Sequence, residues 1–311
     1  MTFIKNPKLW LIVFFLIIFL SFSSRPLYRT LKNNKDNLPT PLRNFIEKRD
    51  ARVAPSPIVY KEEQTIKVIE GWTLRDIANH LEAVNNWSQT DFFALTGEPL
   101  QDYSNKEKVD WPKDFSESFD FLKDKPAHYG LEGFLFPDTY RIFKDASAEE
   151  VIITMLKNFD RKLNAEMRAE IARQGKTIYE IIILASIIEK EAPINYADPE
   201  NKDARLVAGI FYNRLKIGQA LQSDATLSYL YNDKKSVHSS EELEIDSPYN
   251  SYKYPGLPPT PICNPGLKAI EAAIYPLGTN YNYFLTSLDG KNIYYARTYE
   301  EHLNNKYKYL K

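Results

Sequence analysis

The segment from Thr177 to Ala192, TIYEIIILASIIEKEA, constrains the fold of this chain more than any other. Thr177 and Glu180 stand in the T-x-x-E spacing of a capping box directly before an apolar run. Ile178, Ile181, Ile182, Ile183, Leu184, Ala185, Ile187 and Ile188 then cover nearly the whole circumference of a helix. Such a helix must be surrounded by protein on most sides. Pro193 stops it, so Glu189 falls in its final turn.

That position suits acid/base chemistry. The C-terminal end of a helix carries partial negative charge, which disfavours a second negative charge nearby. An apolar surround disfavours the ionised carboxylate further, and Glu191 adds like-charge pressure. All three favour a Glu189 carboxyl that is protonated near neutral pH. Lys190 opposes them only if it folds back, and on a buried helix it is expected to reach outward. The plainer reading is that Glu189 is the first polar residue after a core helix.

Composition narrows the chemistry. Of 311 residues, 43% are hydrophobic and 26% charged, which suits a chain with a real core. Cys263 is the single cysteine, which excludes an intrachain disulfide and a CxxC metal site. His80, His128, His238 and His302 are scattered without ligand-like spacing, so no metal and no cofactor is expected. Six of the 40 basic residues lie in residues 1–35, where there is no acid; the remaining 34 face 41 acidic ones. A mildly acidic body lacks the basic stripe of a nucleic-acid groove.

Residues 1–8 read as a cytoplasmic N-terminus and 9–24 as a transmembrane anchor. From Leu9 to Phe22 the run LWLIVFFLIIFLSF is uncharged, though it sits at the short end for a spanning helix. A cleaved signal peptide is the rival, but no A-x-A site follows. Residues 25–63, polar and proline-bearing, read as an irregular stalk. In QTIKVIEGWTLRDIANHL a strand through Ile66 and Val68 leads by a Gly71 turn to a helix capped by Thr73. Leu74, Ile77, Ala78 and Leu81 form its apolar face. This is half of a LysM-like sugar-binding pattern, or else a packing unit. A helical, aromatic-rich stretch is expected from Trp87 to Leu122. Glu132 follows within a short aromatic strand, where its plain role is a structural carboxylate.

Beyond Glu189, Asp198-Pro199 is expected to open a helix that runs to Leu215 and closes at Gly218. Asp224 is expected to cap a short helix. The polar loop Ser247 to Tyr252 and the proline-rich loop Gly256 to Gly266 follow, rigid enough to hold groups for a ligand. Asn264 is read as the next helix cap, with Pro265 first and Leu267, Ile270 and Ala273 inward. A hairpin pairing Tyr281–Ser287 with Asn292–Ala296 and a last helix capped by Thr298 and Glu301 complete the chain.

The runs LEGFLFPDTY, LASIIEKEA, GIFYNRLKIGQALQSDATLSY and SPYNSY…GLPPTPICNPG together resemble the endolytic murein transglycosylase family (MltG, or YceG-like), over roughly residues 64–305. The resemblance implies an α+β chain: a membrane helix, a small LysM-like α/β module (64–140), then a mostly helical, lysozyme-like catalytic domain with a β-hairpin (141–311). It implies lytic cleavage of the bond between MurNAc and GlcNAc in nascent strands, leaving 1,6-anhydro-MurNAc ends. The first Glu of EKE, Glu189, becomes the catalytic acid/base, and Glu132, Gln222, Asp224, Asn250 and Tyr252 become substrate-binding residues. Peptidoglycan strands are the implied partner, with peptidoglycan synthases alongside, and the enzyme is expected to be single-pass with its catalytic domain outside the cytoplasm. Two rivals stay open. One is a lysozyme-type hydrolase, with Asp224 or Glu132 as the second carboxyl. The other is a non-catalytic peptidoglycan-binding scaffold.

Overall fold

The computed structural model describes residues 25–53, 61–85, 87–194, 198–233, 235, 237–287 and 292–310. The expected anchor at 9–24 lies outside them. No helix among the described residues is long and apolar enough to cross a membrane. The chain divides into two compact units, Met1–Tyr60 and Lys61–Lys311.

In the first unit, the expected stalk instead contains helices α1 (Arg25–Asn33) and α2 (Thr40–Val53). Pro41 is the second residue of α2, where a missing N–H costs nothing, so this proline starts a helix rather than preventing one.

In the second unit, β1 (Glu63–Lys67) pairs antiparallel with β2 (Thr139–Phe143), in a register that sets Ile66 opposite Tyr140. Between them lie α3 (Leu74–Asn85) and α4 (Gln89–Thr96). Leu74, Ile77, Ala78 and Leu81 are buried, as the periodicity predicts. The Thr73 hydroxyl accepts the Asp76 N–H at 3.2 Å, and the Asp76 carboxylate accepts the Thr73 N–H at 2.9 Å. The helical stretch expected as far as Leu122 ends at Thr96. Beyond it, Asp102 and Asp114 each accept the N–H two residues on, at 2.8 Å, offering the backbone an alternative to helix. Glu132 stands on a turn, not in a strand; β2 begins only at Thr139.

The helices α5 (Ala148–Lys162), α6 (Ala165–Arg173), α7 (Ile178–Glu191), α8 (Lys202–Lys216), α9 (Asp224–Tyr231), α10 (Ser240–Leu243) and α11 (Leu267–Ile274) follow. The all-apolar segment is α7, with the capping box of Thr177 and Glu180 formed and Ile181 to Ile188 buried without a break. It packs chiefly on α11 and also touches α6, α8 and α9. Each fully buried Ile or Leu contributes about 1.5–3 kcal/mol, which makes this helix the centre of the core. Phe134 stacks parallel to Tyr179 of α7 at 6.2 Å, and Phe121 stacks on Phe159 of α5 at 4.6 Å, so the irregular segment before β2 joins the same core. Gly133 makes this possible: its φ is +91°, and a Cβ there would lie 2.6 Å from the Pro261 ring.

Three helix starts differ from expectation. Helix α8 begins at Lys202, because the Asp198 carboxylate accepts the N–H groups of Glu200 and Lys202 and holds residues 198–201 as a turn. Asp224 is the first residue of α9, with Ser223 in the cap position. Gly266, not Asn264, occupies the cap position of α11, and of the three residues expected inward, Ile270 and Ala273 are buried and Leu267 partly so. The hairpin forms as β3 (Tyr283–Thr286) with β4 (Ile293–Ala296); residues 288–291 of its turn lie outside the described residues. Thr298 caps α12 (Tyr299–Tyr309).

Candidate active site

The burial of α7 breaks at Glu189, which is partly exposed after eight buried residues. Its Oε2 accepts the backbone N–H of Gly266 at 3.0 Å. Burial pushes the carboxyl up to about 7 against the pull of that N–H; Glu70 raises it further and Lys190 opposes. The like-charge neighbour is therefore Glu70, on the turn after β1, and not Glu191. Glu191 turns instead towards α9, where it accepts the Ser223 hydroxyl.

The loop that delivers Gly266 is fastened along α7. The Ser186 hydroxyl accepts the Ile262 N–H at 3.0 Å, and the Cys263 thiol donates to the Ser186 carbonyl at 3.3 Å. The Tyr179 hydroxyl donates to the Pro259 carbonyl at 2.8 Å. Cys263 thus has a packing role in full burial, its thiol pushed up and kept neutral.

Next in the loop, Asn264 ties three segments together. Its side-chain oxygen accepts the Leu135 N–H at 2.9 Å, and its amide donates to the Trp72 carbonyl at 2.9 Å and to Glu132 at 3.1 Å. Its backbone pairs with the Gly71–Trp72 turn in both directions. Glu132 also accepts the Leu74 N–H at the start of α3 and the Tyr229 hydroxyl, both at 3.0 Å. It is 4% exposed, and burial pushes its carboxyl up to about 8. Glu132 is thereby engaged within the protein, in the structural arrangement that was its plain alternative.

A second group gathers beyond Glu191. Gln222 has an exposed side chain on a left-handed backbone (φ 51°), pinned by its N–H to the Ser251 carbonyl at 2.9 Å. Tyr252 lies beside Asp224, whose carboxyl burial raises. Asn250 corrects the sequence reading. It has no exposed surface, and its amide holds the carbonyls of Leu243 and Ile245 while its oxygen accepts the Tyr252 N–H, so it shapes the loop and offers nothing to a ligand. Sequence reasoning missed Glu70, Tyr229 and Gly266. Nothing in their local pattern signals a site, since each arrives through a long-range contact.

One histidine does lie near acids. Ligand atoms of Asp233, His238 and Glu242 fall within 4.8 Å of one another. The Lys235 ammonium pairs with Glu242 and lies 3.7 Å from Asp233, supplying the positive charge that two carboxylates require.

With Glu189, Gly266 and the proline-rich loop in place, the profile of the YceG-like family matches residues 45–308. This chain belongs to the YceG-like family. It is 33% identical to an endolytic murein transglycosylase of Bacillus subtilis over 246 residues, 79% of this chain and 65% of that protein. It is 34% identical to one of Streptococcus pneumoniae over 253 residues, 78% of this chain and 44% of that protein. The chain thus spans less than two thirds of either relative's length. A crystal structure of a putative YceG-like protein from Listeria monocytogenes superposes with a TM-score of 0.64 at 32% identity, covering 89% of this chain and 88% of that one.

Proposed function

We propose that this YceG-like chain is an endolytic lytic transglycosylase that cuts the MurNAc–GlcNAc bond inside peptidoglycan strands, with Glu189 as acid and then base. The observation that carries this reading is the Glu189 carboxyl itself: partly exposed at the end of a buried helix, held by one backbone N–H, and pushed up to about 7. A carboxyl poised there is half protonated at neutral pH and can both give and take a proton. The protonated carboxyl donates to the glycosidic oxygen as the bond to C1 breaks. The carboxylate then accepts the proton of the MurNAc C6 hydroxyl, whose oxygen closes on C1 to give the 1,6-anhydro ring. Water is not consumed, so no second carboxylate is required of the kind a hydrolase uses. The names of the relatives support the same reading.

In this reading Gln222, Asp224 and Tyr252 contact the glycan, while Glu132 and Asn250 hold the loops that carry the site. The strand–helix–helix–strand order from β1 to β2 supports a LysM-like module before a lysozyme-like catalytic part, with the division near residue 140. The apolar run at residues 9–24 supports a single membrane anchor, and action on peptidoglycan calls for the enzyme to lie outside the cytoplasm. Work on nascent strands next to a membrane makes peptidoglycan synthases natural partners.

The test is mass analysis of products from purified glycan strands. Anhydro-MurNAc ends from the wild type and none from Glu189→Gln are expected. Reducing ends would assign a hydrolase, and intact strands a scaffold.

A further inference from the structure

Glu70 and Glu189 meet at Gly266. A methyl group built on Gly266 would lie 2.7 Å from Cγ of Glu70 and 3.5 Å from Oε2 of Glu189. The glycine therefore makes room for one acidic side chain while its N–H holds the other. The Glu70 turn is not free to drift away. The Gly71 N–H donates to the Asn264 carbonyl at 2.9 Å, and the Trp72 carbonyl accepts the Asn264 N–H at 2.8 Å and its side-chain amide at 2.9 Å. Gly71 itself packs on the helix end, for a Cβ there would lie 3.6 Å from Cγ of Glu189.

Glu70 is exposed and has no structural burden of its own that would explain an acid at this place. We propose that Glu70, carried by the strand–helix module before the catalytic helix, is a positioning residue that acts through Glu189. Its negative charge favours the protonated, proton-donating form of Glu189 before the bond breaks, and the turn that bears it closes one side of the site. The other groups facing Glu189 are few. Lys190, on the same helix, works against Glu70; the buried Cys263 thiol is neutral; and the Gly266 N–H favours the carboxylate. Among the described residues Glu70 is the one acid that acts on Glu189, so its charge adds to the burial that favours the proton-donating form. A consequence is that the first module takes part in catalysis and is not only a tether for the strand.

The inference rests on Glu189 as the proton donor. Its test uses the full chain, with cleavage of purified glycan strands followed across pH for wild type, Glu70→Gln, Glu70→Asp and Glu189→Gln. Removing the charge is expected to move the basic limb of kcat/KM to lower pH by about half a unit. Glu70→Asp should restore the wild-type position. The gap between wild type and Glu70→Gln should narrow as salt is raised, because an exposed charge is screened. An unshifted basic limb in Glu70→Gln, with or without a uniform loss of rate, overturns the proposal and leaves Glu70 a packing residue. Full activity of Glu189→Gln would remove the underlying reading and this inference with it, and that result is read independently of the pH profiles.

Discussion

The Asn264 amide donates to Oε1 of Glu132 at 3.1 Å, joining two loops that are 132 residues apart in the chain. Two residues after Asn264, Gly266 holds the Glu189 carboxyl. Both acids are raised by burial, yet they differ in use. Glu132 faces donors from Leu74, Tyr229 and Asn264 and is closed to solvent, whereas Glu189 has one backbone donor and an open side. That asymmetry leaves Glu132 no free side for a ligand, whereas Glu189 keeps one.

Activity should fall on the alkaline side as Glu189 loses its proton. With the carboxyl held at about 7, the basic limb of kcat/KM for strand cleavage is expected near pH 7. A limb above pH 9 would exclude Glu189 as the donor.

Stability should move with the same group. The folded carboxyl is raised from 4.5 to about 7, so across that window the folded chain binds more protons than the unfolded one, and stability falls as pH rises. Glu189→Gln cannot ionise. It is expected to be more stable than wild type by about 3 kcal/mol at pH 8 and equal to it at pH 4. Urea unfolding at the two pH values measures this, and a gain at pH 4 as large as at pH 8 would contradict it.

Asn264→Ala removes the partners of a buried N–H, a carbonyl and a carboxylate at once. A loss of about 2–4 kcal/mol is expected, with cleavage impaired beyond the loss of folded protein because Gly266 is no longer held beside Glu189. Denaturant unfolding and the specific activity of the folded fraction separate the two effects.

Gly133→Ala has no contact with Glu189 and should act through the fold alone. A Cβ there meets Pro261 at 2.6 Å on a backbone with φ of +91°. Destabilisation of about 2–4 kcal/mol is expected, with kcat of the folded fraction preserved.

Gln222→Gly tests the second group without disturbing the backbone, since glycine tolerates the φ of 51°. Thermal stability should be kept, while KM for glycan strands rises roughly 2–10-fold, the value of one hydrogen bond. An unchanged KM would take Gln222 out of the cleft.

Much of this protein is legible in its sequence because local physics decides it. The capping box and unbroken apolar circumference of residues 177–192 compel a central helix with Glu189 in its last turn, and the Leu74, Ile77, Ala78 and Leu81 stripe compels the face that α3 buries. The closing hairpin and the Thr298 cap are equally local. What the sequence leaves open is set by contacts between distant residues. Asn264 has the pattern of a helix cap, yet its amide finds Trp72, Glu132 and Leu135, and Gly266 takes the cap position. Asn250 looks like a ligand-facing amide, yet neighbouring carbonyls bury it. Glu191 looks like the charge that acts on Glu189, yet the period of the helix turns it towards Ser223, and Glu70 arrives from 119 residues away to take that place. Periodicity and capping act within a few residues and can be read along the chain; a like charge from a distant turn, a buried hydrogen bond and a close pass over a glycine exist only once the chain has folded back on itself.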